Sequence, residues 1–179
     1  MAPDPELENE DLAMDVHAQY GMALHNVQSF ETSIISALKL FDQLNRTHLD
    51  EASLADLDSL LSKETLGMLL RRLRKRLILP NDLEYMLDHV VAERNYLVHH
   101  FFYDTTESMA TARGCRHSIE YLRNVGGYFL DLCSMLDGLI RRLAQELGWS
   151  DEEFQREVSA LRDALLARAK SAKKTTNGA

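Results

Sequence analysis

Residues 109–147 read MATARGCRHSIEYLRNVGGYFLDLCSMLDGLIRRLAQEL, and this stretch decides the fold. Ala112, Cys115, Ile119, Leu122, Gly126, Phe129, Cys133, Leu136, Ile140, Leu143 and Leu147 follow one another at alternating steps of three and four. A 3.5-residue period held over about five heptads places one apolar seam along a single helix, which then needs another helix laid lengthwise against it. Gly126-Gly127 interrupts mid-helix, where each glycine costs roughly 1 kcal/mol against alanine. A close helix approach or a kink is the expected compensation. Cys115 and Cys133 share a face but sit about 27 Å apart along a continuous helix axis, which excludes a disulfide between them.

Downstream, Gly148 stops this helix, and Ser150 with Glu153 reads as a capping box for a last helix that carries Phe154, Val158, Leu161 and Leu165. Residues 170–179 are small, polar and basic, the composition of a disordered tail. Upstream, Tyr103 to Ser108 reads as a loop. Before it a helix spans about Asp82 to His99, with Asn81 and Glu84 spaced as a capping box. Pro80 closes a helix over roughly 64–79, because its ring removes a donor. A short helix over Leu54 to Leu61 and a loop over 45–50 precede that. The first helix, from about Asp11 to Leu44, carries Val16, Tyr20, Ala23, Val27, Phe30, Ile34, Leu38 and Phe41 on one stripe. Residues 1–10, acidic and proline-containing, read as disordered. The expected fold is all-α: an up-down helical bundle over residues 11–169, with one very long helix and an extra C-terminal helix.

Composition agrees. Only 8 Gly and 3 Pro stand among 179 residues, too few breakers for a strand-and-turn architecture. The net charge of −8 excludes a general electrostatic nucleic-acid binder, so any RNA contact must come from a local patch. No apolar run approaches the roughly 20 residues of a membrane span. No basic N-terminal region with an apolar core is visible, and two cysteines make no disulfide framework. The expectation is a cytoplasmic protein without a membrane partner. His17, His25, His48, His89 and His117 are scattered, no HExxH or Gly-rich phosphate loop is present, and no metal or cofactor is expected.

One segment carries chemistry. On a helical wheel Leu83, Leu87, Val90, Val91, Leu97 and Val98 cluster on one side, and Arg94 falls in their middle. Burying an unpaired charge costs several kcal/mol, so Arg94 needs a carboxylate, a set of carbonyls, a phosphate or an interface cleft. Asn95 and His99 occupy the adjoining flank, and His100 the opposite flank with Glu93. One short element thus offers a permanent cation, an amide and two groups that exchange protons near neutral pH. The plainer alternative makes Arg94 part of a structural network and His99 and His100 helix-end residues favoured by the dipole.

Glu93-Arg94-Asn95-Tyr96-Leu97-Val98-His99 resembles the signature of HEPN domains: an arginine, a polar residue, then a histidine after four to six intervening residues. His99 satisfies the spacing with four between and His100 with five. The resemblance implies a compact helical bundle and a symmetric homodimer in which two copies of the motif form one cleft. It also implies a metal-independent endoribonuclease, acting as a toxin or defence effector and held by a protein inhibitor (an antitoxin). By the same resemblance His99 or His100 would act as general acid or base, Arg94 would stabilise charge on the scissile phosphate, and Asn95 would orient the imidazole or a phosphate oxygen. Cleavage by an internal 2′-hydroxyl needs only proton transfer and phosphate charge stabilisation, without a metal.

A second candidate is Arg71, Arg72, Arg74, Lys75 and Arg76, an RNA-backbone footprint or a solvated face paired with acids elsewhere. Phe101-Phe102 and Tyr103-Asp104 could line a base-stacking cleft or plug the core. Three functional readings follow: a dimeric ribonuclease, a non-catalytic HEPN-like regulator binding a protein partner or nucleotide, and a plain scaffold self-associating through the 112–147 seam.

Overall fold

The computed structural model describes residues 5–45, 57, 59–156, 158–160 and 163. Residues 46–50 of the expected loop, much of the short helix over Leu54 to Leu61, residues 1–4, Leu161 and Leu165 of the last helix, and the 170–179 tail lie outside the described residues. Every described element is helical: α1 (Pro5–Asn45), α2 (Leu66–Arg76), α3 (Asn81–His99), α4 (Phe101–Thr105), a 3-10 turn over Ser108–Ala110, and α5 (Ala112–Glu146). Residues 151–156 begin a further helix.

The scaffold is a pair of long helices, 41 and 35 residues, rather than one. Their contacts climb together. Asn26 donates to the Gly126 carbonyl and Phe30 packs on Phe129 with ring centroids 5.8 Å apart, so α1 and α5 run parallel. Elements α3 and α4 return between them. Met86 meets Tyr128 and Glu93 meets Tyr121, while Tyr20 stacks on Phe101, so this return is antiparallel to both neighbours. The chain therefore passes up, down and up. The apolar stripe on α1 and the seam on α5 bury each other: Val16, Ala23, Val27, Phe30, Ile34 and Leu38 on one side meet Cys115, Leu122, Phe129 and Leu136 on the other, all within one core. The seam through which the scaffold reading had the chain self-associate is thus covered by α1 of the same chain.

Gly126 marks the close approach. An added Cβ would lie 3.2 Å from Asn26 Nδ2 and 3.7 Å from Ala23 Cα, whereas one on Gly127 would meet nothing within 4 Å. The crossing therefore needs only the first of the two glycines. Gly114 is required for another reason, since a Cβ there would overlap the Ser108 carbonyl of the 3-10 turn.

Several boundaries differ from the sequence expectation. Residues 5–10, expected to be disordered, continue α1, and Pro5 stands in its first turn, where a missing N–H has no helical partner to lose. α2 stops at Arg76 instead of running to Pro80; Leu77 is already extended at φ −123°, ψ 137° and buries its side chain, and the residue before a proline resists the helical region. The Asn81/Glu84 capping box does not form: Pro80 is the cap residue and gives no side-chain bond, because Glu84 is drawn to Arg74 at 2.7 Å. Residues 103–105, expected in a loop, belong to α4, which follows a break of one residue at His100. Other terminal signals are realised as read. Gly148 adopts φ 89°, and Trp149 and Gly148 donate to Ala144 and Gln145, the two bonds of a Schellman motif. Ser150 and Glu153 exchange backbone-to-side-chain bonds at 2.8 and 3.2 Å, completing a capping box.

Candidate functional site: the C-terminal half of α3

α3 lies over the furrow between α1 and α5, and its buried stripe is Leu83, Leu87, Val90 and Leu97. Arg94 occupies the stripe position between Val90 and Leu97, which are 0% and 1% exposed. Its guanidinium leaves the core on the α1 side. Nε lies 3.4 Å from Glu31 Oε1 of α1, and Nη1 donates to Asn95 Oδ1 at 3.4 Å. Among the partners that burial could have demanded, the chain supplies a carboxylate of its own. The side chains are 31% and 26% exposed, so the pair is wet. A contact of this kind contributes about 0–1 kcal/mol and does not close the guanidinium to a second anion.

Asn95, His99 and His100 are exposed. At about 100° per residue His99 lies on the far side of α3 from the buried stripe, while His100 ends the helix on the α5 flank. The imidazole of His100 stands 6.5 Å from the Tyr96 ring and 6.5 Å from that of His99, centroid to centroid. Arg94 and Asn95 therefore touch each other, as do the two imidazoles. Among the described residues no hydrogen bond joins the first pair to the second. Val91 is only half-buried and Val98 is exposed, because the wheel places them at the edge of the stripe next to α1 rather than at its centre.

The basic run is largely spent within the chain. Arg72 Nε donates to both Glu64 oxygens at 2.6 and 2.8 Å, Arg74 reaches Glu84 at 2.7 Å and Asp88 at 2.8 Å, and Arg76 reaches Asp42 at 3.2 Å. Arg71 and Lys75 are exposed, so two of the five cations have no carboxylate partner among the described residues. The aromatics after His100 divide. Phe101 is buried against Tyr20 and Tyr121, Phe102 packs on His17 and Tyr20, and Tyr103 is exposed. The phenylalanines are core plugs that anchor the end of α3 to α1.

Two features escaped the sequence reading. Glu31 sits one residue beyond Phe30 in the α1 stripe, and the only hint of it was the unmet need of Arg94. The other is a groove of about 360 Å³ between α3 and α5, lined by Tyr85, His89, Glu93, Tyr121, Asn124 and Tyr128. The Tyr121 hydroxyl donates to Glu93 Oε2 at 3.1 Å, and the Tyr128 hydroxyl donates to the Met86 carbonyl. Burial first, and the Glu93 charge second, push both phenols above the usual tyrosine range. Among the described residues no three or more His, Cys, Asp or Glu side chains converge as a metal site. No described helix is long and apolar enough to cross a membrane.

The arrangement is that of an all-α bundle with an arginine–amide pair and two exposed imidazoles at one helix end. No family model, no curated protein and no solved structure matches the chain.

Proposed function

We propose that the chain is a HEPN-type, metal-independent endoribonuclease that works as a homodimer in a toxin or defence role, with a protein inhibitor as its natural partner. One observation carries this reading. Arg94 stands in a buried stripe yet delivers its guanidinium to the surface beside Asn95, on the same helix end as His99 and His100. Packing alone would place a leucine there. In one protomer the cation and the imidazoles face different ways, so a second copy would have to bring its imidazole to the first copy's guanidinium. Glu31 then acts as the resting counter-ion of Arg94, exchanged for a scissile phosphate when RNA enters.

The test is incubation of the purified protein with mixed single-stranded RNA in the presence of a chelator. Cleavage should persist without metal and leave cyclic phosphate ends. It should fall at least about 100-fold in His99→Ala or His100→Ala, whichever carries the proton, because a general acid or base contributes on that order. RNA left intact by the wild-type protein, or cut equally by both histidine variants and Arg94→Ala, rejects the reading. A monomer at micromolar concentration in sedimentation would reject the shared cleft.

The pairing of Arg94 with Glu31, together with its separation from both imidazoles, favours a second reading. In it the same surface is a non-catalytic HEPN-like regulator. Titration with AMP, ATP and GTP distinguishes it: saturable nucleotide binding lost in Arg94→Ala, with RNA intact, supports the regulator, and no binding counts against its nucleotide form.

A further inference from the structure

We propose that the groove between α3 and α5 binds a small organic cation with an apolar periphery, of the quaternary-ammonium class, held against the Tyr85, Tyr121 and Tyr128 rings with Glu93 as its counter-ion.

The sequence places the parts. Tyr85, His89 and Glu93 recur every fourth residue on one flank of α3, and Tyr121, Asn124 and Tyr128 recur at three and four on the facing flank of α5. Three phenol rings therefore line one groove with a single carboxylate, and Tyr121 touches that carboxylate directly. The face of an aromatic ring is electron-rich and attracts a cation within about 6 Å, most strongly where water is partly excluded. Glu93 Oε2 accepts from the Tyr121 hydroxyl, and among the described residues no cation is paired with Glu93. Arg94, its neighbour in sequence, projects to the other side of α3 and meets Glu31. The groove is thus negative by construction, and the same charge helps to push the Tyr121 and Tyr128 phenols up.

The lining also selects the kind of cation. Apart from Glu93, His89, Asn124 and the phenol oxygens it offers rings and aliphatic carbon, so a primary ammonium would replace only part of its hydration there. A quaternary ammonium carries no N–H and spreads its charge over methyl groups, so it loses little on leaving water. The volume of about 360 Å³ lies at the small end of ligand sites, which fits a head group better than a long chain. A nucleobase could stack on the same rings, but its phosphate would share the groove with Glu93 and find no lining arginine or lysine to meet it.

The test is a titration of the whole protein at constant ionic strength, followed by the NMR signals of its tyrosine rings. The probes are choline chloride, dimethylbutanol as its neutral carbon isostere, and guanosine monophosphate. Choline should shift Tyr85, Tyr121 and Tyr128 saturably and bind at least about fivefold more tightly than the isostere, the order expected of a partly exposed cation–π site with a counter-charge. Glu93→Gln should remove that preference while the isostere binds as before. Tyr85 is 70% exposed, so Tyr85→Ala leaves the fold intact and should weaken choline by about threefold or more. Equal binding of choline and isostere would reduce the groove to an apolar patch. Tighter binding of guanosine monophosphate would make it a base site, and the absence of saturable shifts would remove it altogether; each result overturns the proposal.

Discussion

Replacing Gly126 and Gly127 one at a time by alanine tests the crossing on which the whole bundle rests. The two residues are adjacent in one helix, so their intrinsic gain is the same, about 0.8–1.0 kcal/mol for relieving a mid-helix glycine. Their surroundings differ. At Gly127 a new Cβ meets nothing within 4 Å, and the full gain should appear as stabilisation. At Gly126 the Cβ comes within 3.2 Å of Asn26 Nδ2, which itself donates to the Gly126 carbonyl at 3.2 Å. Asn26 must then yield by a few tenths of an ångström and its half-buried hydrogen bond is weakened, a loss of about 1 kcal/mol. Gly126→Ala should accordingly be neutral or destabilising by up to about 1 kcal/mol, and the two variants should differ by about 1–2 kcal/mol. Urea unfolding followed by the helical circular-dichroism signal resolves this, since 1 kcal/mol moves the midpoint by about 0.3–1 M. If Gly126→Ala stabilised the protein as much as Gly127→Ala, α1 could not pass residue 126 as closely as described, and the parallel register of α1 and α5 would be wrong.

Two further outcomes follow from the ionisable groups. Tyr121 is held above its ordinary range by burial and Glu93, and Tyr96 and Tyr128 are shifted the same way, so above about pH 10 the unfolded chain releases protons that the fold retains. Stability should therefore fall as pH rises through that region, and the urea midpoint of Tyr121→Phe should fall less steeply between pH 9.5 and 11; parallel curves would dismiss the burial of that phenol. A double-mutant cycle on Arg94→Ala and Glu31→Ala should give a coupling of about 0.2–1 kcal/mol, the range of a wet ion pair. A coupling above about 2 kcal/mol would identify a structural lock, with no guanidinium to spare for a phosphate.

How much of the site was legible in the sequence depends on how local each part is. The Arg94–Asn95–His99–His100 segment was visible because a cation in a helical stripe violates a short-range period. The groove was not, because Tyr85 and Glu93 stand on a different helix from Tyr121 and Tyr128, and each tyrosine alone looks like an ordinary helix-surface residue. The Asn81/Glu84 capping box was misread for a related reason. The spacing permits it, but the Glu84 carboxylate gains more from Arg74, a residue on another helix, than from its own helix end.

By itself the sequence determined the long helices, their buried faces and some of their ends, since periodicity, the Schellman glycine at 148 and the Ser150 cap all act within a turn or two of chain. Tertiary structure alone decided that the 112–147 seam is covered by α1 of the same chain, that Arg94 is met by Glu31, and that three tyrosines share a groove with one carboxylate. Those pairings join residues from about 28 to 100 positions apart, and only packing energy summed over the whole core selects them, because no local preference extends so far.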